Sequence, residues 1–535
     1  MLIQKRILIL IFLSLSLFSK EIISETVEEI VVLGDWRETS TDQEDSSVVL
    51  LDAKKIKSQS MKHFEQLSYL VPNLNFAASD SRARYFQIRG IGERSGYQGT
   101  PNSSVGFLID DIDYSGQGGI ATTFDVDQIE IHRGPQGSRI GANALAGLIY
   151  IKTKDPTEEF EATSEITTGS FGTKSAGLAF GGPLANNKNI AYRLVLRKDN
   201  SDGFRKNLYL KRSDTSRKDE TTSRLKIDWE MDEKTSVKLL ISQVDLDDPA
   251  DIWTLDGSLN TLSDRPGMDS QKTNSYGLKI FHNFIRFELQ SLTSSTDTSV
   301  VFSYDADWGN TDSWAPFIYD YFSETLRDRK TFSQEFRLIS DEANLDEEQK
   351  IEWVFGVSYL EIKESNLKID DGNYGDPLDP YGPYSSVFSS SSKYKSDNTS
   401  LFGNLDYFIS ESLKLSLGLR WEDWESKFVD TLGDDFNPTN DMSGGKISLV
   451  KNMRNGTNIF ASIAKGYKQG GFNLGLGLGS DSSNQNLLYD PEYLTNYELG
   501  LNSTFFDSNL NLATVIFYSD REDQQVLIST QTDPS

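Results

Sequence analysis

The chain has 535 residues, with 53 Lys and Arg against 80 Asp and Glu for a net charge of −27, and it contains no cysteine. So acidic a balance excludes nucleic acid as a partner, which needs a concentrated positive surface, and the missing thiols exclude disulfide scaffolds, thiolate metal sites and cysteine nucleophiles. Hydrophobic residues at 37% and a negative mean hydropathy exclude a bundle of membrane helices, while 11% aromatics exclude a disordered chain.

Residues 1–24 read as a secretory signal peptide: Lys5 and Arg6 precede the apolar run Ile7 to Phe18. That run is shorter than the ~20 residues a spanning helix needs. Residues 25–45 form a linker containing the β-prone run Ile30-Val31-Val32-Leu33. From 46 to 156 helical and strand signals alternate. Phe64 to Leu70 predicts a helix that stops before Pro72. Strands are predicted at Phe86–Arg89, Val105–Ile109, Ile129–Arg133 and Leu148–Lys152, with glycines at Gly90, Gly92, Gly134, Gly137, Gly141 and Gly147 marking the joints. The segment is a small α+β domain.

Residues 157–535 change grammar. In Leu413-Lys414-Leu415-Ser416-Leu417-Gly418-Leu419-Arg420-Trp421 the odd positions are apolar and the even ones polar or small, so the strand has one oily and one wet face. Tyr192–Arg197, Val237–Ser242 and Tyr497–Asn502 repeat the pattern, and scanning for it gives roughly 15 segments. Tight connections such as Gly182–Asn187 and Asn452–Gly456 alternate with long polar ones such as Lys368–Lys395, as in outer-membrane barrels. A soluble sandwich also yields many strands, but its connections need not alternate in length. A propeller would repeat a motif about every 40 residues, and none is found. The expected fold is mostly β, a transmembrane antiparallel β-barrel behind an N-terminal α+β domain. Closure satisfies every backbone group in lipid. Trp229, Trp353, Tyr359, Trp421, Trp424, Phe460, Tyr467, Phe517 and Tyr518 suit interfacial girdles, and each would also serve as a core aromatic.

Three motifs together resemble the TonB-dependent outer-membrane receptors, in which a plug fills a barrel of about 22 strands: Phe86-Gln87-Ile88-Arg89-Gly90-Ile91, Val105 to Ile112, and Ile129 to Lys154 with its Arg133-Gly134-Pro135 core. The resemblance implies active uptake across the cell outer membrane of a Gram-negative bacterium, driven by an inner-membrane TonB-type transducer, with outer-membrane lipid around the barrel, no enzymatic activity, no cofactor and no resident metal. It makes Glu29, Ile30, Val31, Val32 and Leu33 the TonB box, Leu33 standing where relatives often have Thr. A plain first strand of the plug is the other reading of that run. It makes Arg89 and Arg133 plug partners of the wall carboxylates Glu335 and Glu498, a latch that holds the plug by charge. Gly90, Gly134, Pro135, Gly141 and Gly147 would be its hinge positions.

A ferric siderophore is the first expected cargo, with vitamins and glycans open, and Gly466 to Asn473 is a segment shared with such relatives. Haem is disfavoured because the three histidines, His63, His132 and His282, include none in an obvious outer loop. Trp308, Trp314, Tyr319, Tyr321, Tyr374, Tyr381 and Tyr384 stand in the long connections, where they can stack on a planar ligand or pack on one another. Gly90 to Gly96 departs from the dinucleotide fingerprint, Asp110–Asp113 and Asp370–Asp376 lack a full calcium set, and no catalytic triad is visible. A passive porin or a surface adhesin is the alternative class. Because roughly 15 strands fall short of about 22, the expectation is a chain lacking about seven strands, with an open or strained seam.

Overall fold

The structure is a computed structural model, and it describes residues 31–32, 36–37, 39–40, 45–59, 61–78, 81–94, 100–184, 187–341, 350–453, 457–474, 487–505 and 510–526. The predicted signal peptide, and Glu29, Ile30 and Leu33 of the predicted box, lie outside those residues.

The N-terminal domain is built on β1 (Ser47–Asp52), β2 (Leu74–Ala78), β3 (Ala83–Ile88), β4 (Val105–Ile109), β5 (Ile112–Asp113), β6 (Val126–Arg133) and β7 (Gly147–Thr153). One sheet runs β1-β6-β7-β4-β5, with β4 parallel to β7 and the other pairs antiparallel, while β2 and β3 form a separate hairpin. Helix α1 (Ala53–Ser58), which hydrophobic periodicity does not reveal, starts where the Asp52 carboxylate accepts the Lys55 amide, 2.6 Å. Helix α2 (Phe64–Leu67) ends in a 3₁₀ turn through Leu70, ahead of Pro72 as the sequence predicts. Leu51, Phe64, Leu67, Phe86, Ile88, Phe107, Ile129, Ile131 and Ile149 make the core.

Fifteen longer strands follow in one antiparallel ladder: β8 (Glu161–Thr168), β9 (Lys174–Leu184), β10 (Asn187–Ser201), β11 (Lys218–Glu230), β12 (Thr235–Ala250), β13 (Gly267–Asn283), β14 (Phe287–Asp305), β15 (Ile318–Ser340), β16 (Ile351–Gly375), β17 (Tyr384–Ser410), β18 (Leu413–Asp430), β19 (Thr439–Asn452), β20 (Thr457–Lys468), β21 (Glu492–Phe505) and β22 (Leu510–Glu522). Among the described residues β8 and β22 form the two ends of the ladder and do not pair with each other. Alternation sets the faces. In β18 Leu417, Leu419 and Trp421 point outward, 43%, 60% and 44% exposed, whereas Ser416, Arg420, Glu422, Trp424 and Phe428 are buried on the inner face. The outward row continues through Leu401, Leu405, Ile447, Leu449, Ile463 and Leu499.

Two expectations need correction. Trp424, Phe460 and Tyr467 are not girdle residues: all three are at most 1% exposed, Trp424 and Phe460 at inward positions of their strands, and Trp424 and Tyr467 pack with Ala142 of the N-terminal domain. A residue's face depends on its phase in the strand, and being aromatic does not fix the phase. The long connection expected over Lys368–Lys395 is mostly strand. β16 continues to Gly375 and β17 resumes at Tyr384, because the two strands stay paired residue for residue to their ends.

Candidate functional site: the interface between the inner domain and the strand wall

Interior positions of the wall carry charge, and the N-terminal domain answers it. Arg82 donates to Asp248 at 2.8 Å and to Glu220 at 2.9 Å, all three nearly inaccessible. Arg84 pairs with Asp269 and gives a 2.6 Å hydrogen bond to Gln271. The polarity then reverses. Lys226 of the wall reaches Asp110 at 3.1 Å and Asp155 at 2.9 Å, Arg193 and Arg224 hold Asp125, Lys279 meets Asp111, and Lys468 bonds Glu93 at 2.7 Å. Burial alone would raise the acids of the inner domain. The facing lysines outweigh it, so Asp110, Asp111, Asp155 and Glu93 all stay below the ordinary carboxylate range. Leu240, Val244 and Leu246 of β12 extend the domain's apolar core onto the wall.

The four residues of the predicted latch part company. Arg89 and Gly90 form a two-residue turn with φ of 54° and 81°, which aims Arg89 at the wall. There its Nη1 donates to Glu498 Oε1 at 2.5 Å, beneath a 2.9 Å bond from Asn496, and its guanidinium lies 3.8 Å from the Phe517 ring centroid. The contact is single rather than bidentate: Arg89 Nε and Glu498 Oε2 have no hydrogen-bond partner. Among the described residues Arg133 bonds no carboxylate. Burial and the neighbouring Arg89 lower its pKa, and its Nε is unpartnered. Glu335 meets neither arginine. It pairs with Arg337, two residues on along the same face of β15, so the two neutralise each other locally.

The glycine positions lie in the loop that presses on the wall. Gly134, Gly141 and Gly147 have φ of 97°, 87° and 155°. A Cβ on Gly141 would stand 2.8 Å from Arg420 Nε, and one on Gly147 would fall on the His132 carbonyl oxygen. Pro135 packs on Gly466, whose own Cβ would lie 2.7 Å from the ring. The Gly466–Asn473 segment also docks on the domain's far end, where Asn102 Nδ2 donates to the Gln469 carbonyl at 3.0 Å and Phe472 N to Thr100 Oγ1 at 3.3 Å.

Of the aromatic candidates, Trp314, Tyr319, Tyr374 and Tyr384 form a continuous row with centroids 5.2, 5.9 and 5.4 Å apart. Tyr319, Tyr374 and Tyr384 are register partners across β15, β16 and β17. They share the inner face with Ser323, Glu364 and Tyr394, and so overlook the lumen. Trp308 and Tyr381 stand apart from the row, Tyr381 almost fully exposed. Sequence reading missed Trp253, whose ring lies 5.0 Å from Tyr304 at the same end of the wall.

At the opposite end Val31–Val32 pairs with Thr39–Ser40. Trp36 stacks on Phe402 at 4.7 Å, and Arg37 Nη2 donates to Ser340 Oγ at 2.6 Å. Among the described residues no group of His, Asp and Glu is placed to hold a metal ion.

Two family models match the chain, the TonB-dependent receptor plug domain over residues 40–148 and the TonB-dependent receptor-like β-barrel over 154–535. The chain is 22% identical over 159 residues to the ferripyoverdine receptor of Pseudomonas aeruginosa, a match covering 30% of this chain and 19% of that protein. It is 23% identical over 522 residues to the pesticin receptor of Yersinia enterocolitica, covering 94% of this chain and 71% of that one. The crystal structure of the ferric yersiniabactin uptake receptor from Yersinia pestis superposes with a TM-score of 0.73 at 18% identity, covering 90% of this chain and 73% of that one. That likeness establishes the fold.

Proposed function

The chain belongs to the TonB-dependent receptor family, and on that premise we propose that it imports a ferric siderophore across the outer membrane of a Gram-negative bacterium, using force from an inner-membrane transducer. The carrying observation is the interface itself. A folded plug sits inside a strand wall and is held largely by ion pairs and hydrogen bonds, a contact that water can take over when the plug moves. The family is one of transport receptors, and no step here requires covalent chemistry.

The parts divide the work. The outward aliphatic and aromatic row faces lipid. The transducer takes the box, Glu29 to Leu33, by strand pairing. The Trp314, Tyr319, Tyr374 and Tyr384 row, with Trp308 and Tyr381 at its margin, offers flat faces to an aromatic chelator. Arg89, Glu498 and the nearby Arg133 guanidinium form the latch. Glu335, paired with Arg337 on its own strand, stands outside it.

The test is uptake of ⁵⁵Fe-loaded siderophores of the catecholate, hydroxamate and mixed classes in cells lacking their own receptors, with and without a protonophore. The proposal expects at least one chelate to accumulate only while the gradient stands. Entry that ignores the protonophore would make the protein a passive pore, binding without entry would make it an adhesin, and gradient-driven entry of a vitamin or glycan alone would move the cargo class.

A further inference from the structure

Three cavities lie end to end between one side of the plug and the wall. The largest, about 1090 Å³, opens beside Trp36 and Arg37 and is lined by Asp111, Lys152, Lys238, Lys279 and Arg337 among others. The second, about 120 Å³, lies between Leu108–Asp113 and Arg139–Ile140 of the plug and the inner face of β13 to β18, at Lys279, Ser294, Ser333, Arg337 and Arg420. A third of about 20 Å³, room for a single water, follows at Asp113, Ser115, Arg329 and Ile362. The first two share three lining residues, Asp111, Lys279 and Arg337, and the last two share Asp113.

The shared residues form a partition. Asp110 and Asp111 are a two-residue turn with φ of 51° and 70°, a left-handed conformation that aspartate accommodates better than most non-glycine residues. The turn delivers Asp111 onto Lys279. Arg337 is covered by Trp36, whose ring centroid lies 5.2 Å from the guanidinium carbon, and Trp36 is four residues beyond Val32 of the box. Behind the partition stands Arg139, 6% exposed, its Nε and Nη1 without a hydrogen-bond partner and, among the described residues, without a carboxylate in ion-pair range. The other cations of the second cavity are matched: Lys279 by Asp111, Arg337 by Glu335 and Arg420 by Glu422. A buried guanidinium with idle donors is costly unless an anion visits it.

We propose that the plug parts from the wall along this side, that withdrawal of Trp36 by a pull on the box frees Arg337 and opens the partition, and that Arg139 receives an anionic oxygen, carboxylate or catecholate, of the passing cargo. The proposal rests on the uptake reading for the identity of the cargo. The path and its charge preference can be measured without cargo, transducer or gradient.

The chain has no cysteine, so a single Ser333→Cys places one thiol in the second cavity, and Ser294→Cys, its hydrogen-bonded partner at 2.7 Å, is the second position should the first variant fail to assemble. The full-length purified protein is treated with anionic sulfonatoethyl and cationic trimethylammonioethyl methanethiosulfonates, with rates scaled to those of a free thiol. The expected anionic preference is about tenfold or more, the concentrating effect of a positive site in a low-dielectric cleft, and Arg139→Gln brings the two reagents to parity. Trp36→Ala and Asp111→Lys each speed both reagents several-fold, and adding Lys279→Asp to Asp111→Lys slows them again. A preference that survives Arg139→Gln removes the anion site. Rates untouched by Trp36→Ala and by the charge swap, or a resting rate equal to that of a fully exposed thiol, overturn the gate.

Discussion

The plug meets its wall in two different ways. Toward β11, β12 and β13 it is bolted: Arg82 and Arg84 sit among Glu220, Asp248 and Asp269, and Leu240, Val244 and Leu246 continue its apolar core. Toward β14 to β17 it is gapped, with cavities of about 120 and 20 Å³ and a charge, Glu335, that is spent on its own strand. A plug held evenly would have to be torn out whole. One held firmly at β11 to β13 and again at β20 and β21, with a gap between, can give way at the gap and keep its fold while a passage opens there.

Acid should have the largest effect, since it acts on the whole interface. Asp110, Asp111, Asp155 and Glu93 are held below their ordinary values of 3.8 and 4.5 once burial and the facing cations are balanced. A depressed carboxylate contributes stability that is present above its unfolded pKa and is lost as pH falls through its lower folded pKa. Protease susceptibility of the plug, followed from pH 7 down to about 2, should stay flat to about pH 4 and rise steeply below it. An earlier rise, near pH 6, would mean the acids do not hold the plug.

Next comes Arg82→Met, which takes the paired cation from buried Glu220 and leaves Asp248 with Lys218 at 3.9 Å, and should cost about 3–5 kcal/mol, seen as a lower melting midpoint of plug signals with the wall unaffected. An equal cost for Glu335→Gln would erase the distinction between the two sides. Glu498→Gln keeps an acceptor for Arg89 but leaves two guanidiniums near each other without a countercharge, and about 2 kcal/mol is expected, with raised passive entry of small solutes. Unchanged entry and unchanged plug stability would remove the latch. Smallest is Glu335→Gln, at under about 1 kcal/mol, because its pair with Arg337 is partly solvated.

Much of this was legible in the sequence because it is local. Two-residue alternation in Leu413–Trp421 defines the wall, and the Arg89-Gly90 and Gly134-Pro135 turns mark where the plug touches it. The aromatic row was found as a set of residues but not as a row, since neighbours such as Tyr319 and Tyr374 are joined only by strand register. Partner choice was illegible for the same reason. Arg82 and Glu220 are 138 residues apart, and only the seating of the plug against the inner face of the wall brings them within 2.9 Å. Glu335 carried the right charge in the right strand, yet Arg337 two positions away claimed it. The cavities have no sequence signal at all, being defined by side chains that fail to meet.

The most direct measurement joins the plug to the wall across the gap. Ile140 of the plug and Ser333 of β15 line the second cavity from its two walls, so Ile140→Cys with Ser333→Cys can be bridged by a thiol-specific cross-linker in a chain that otherwise has no thiol to react. Uptake of the ⁵⁵Fe chelate that the unmodified receptor imports should stop when the bridge forms, with chelate binding retained, and should return when a cleavable bridge is reduced. Undiminished uptake with the bridge fully formed would contradict a plug that opens on this side.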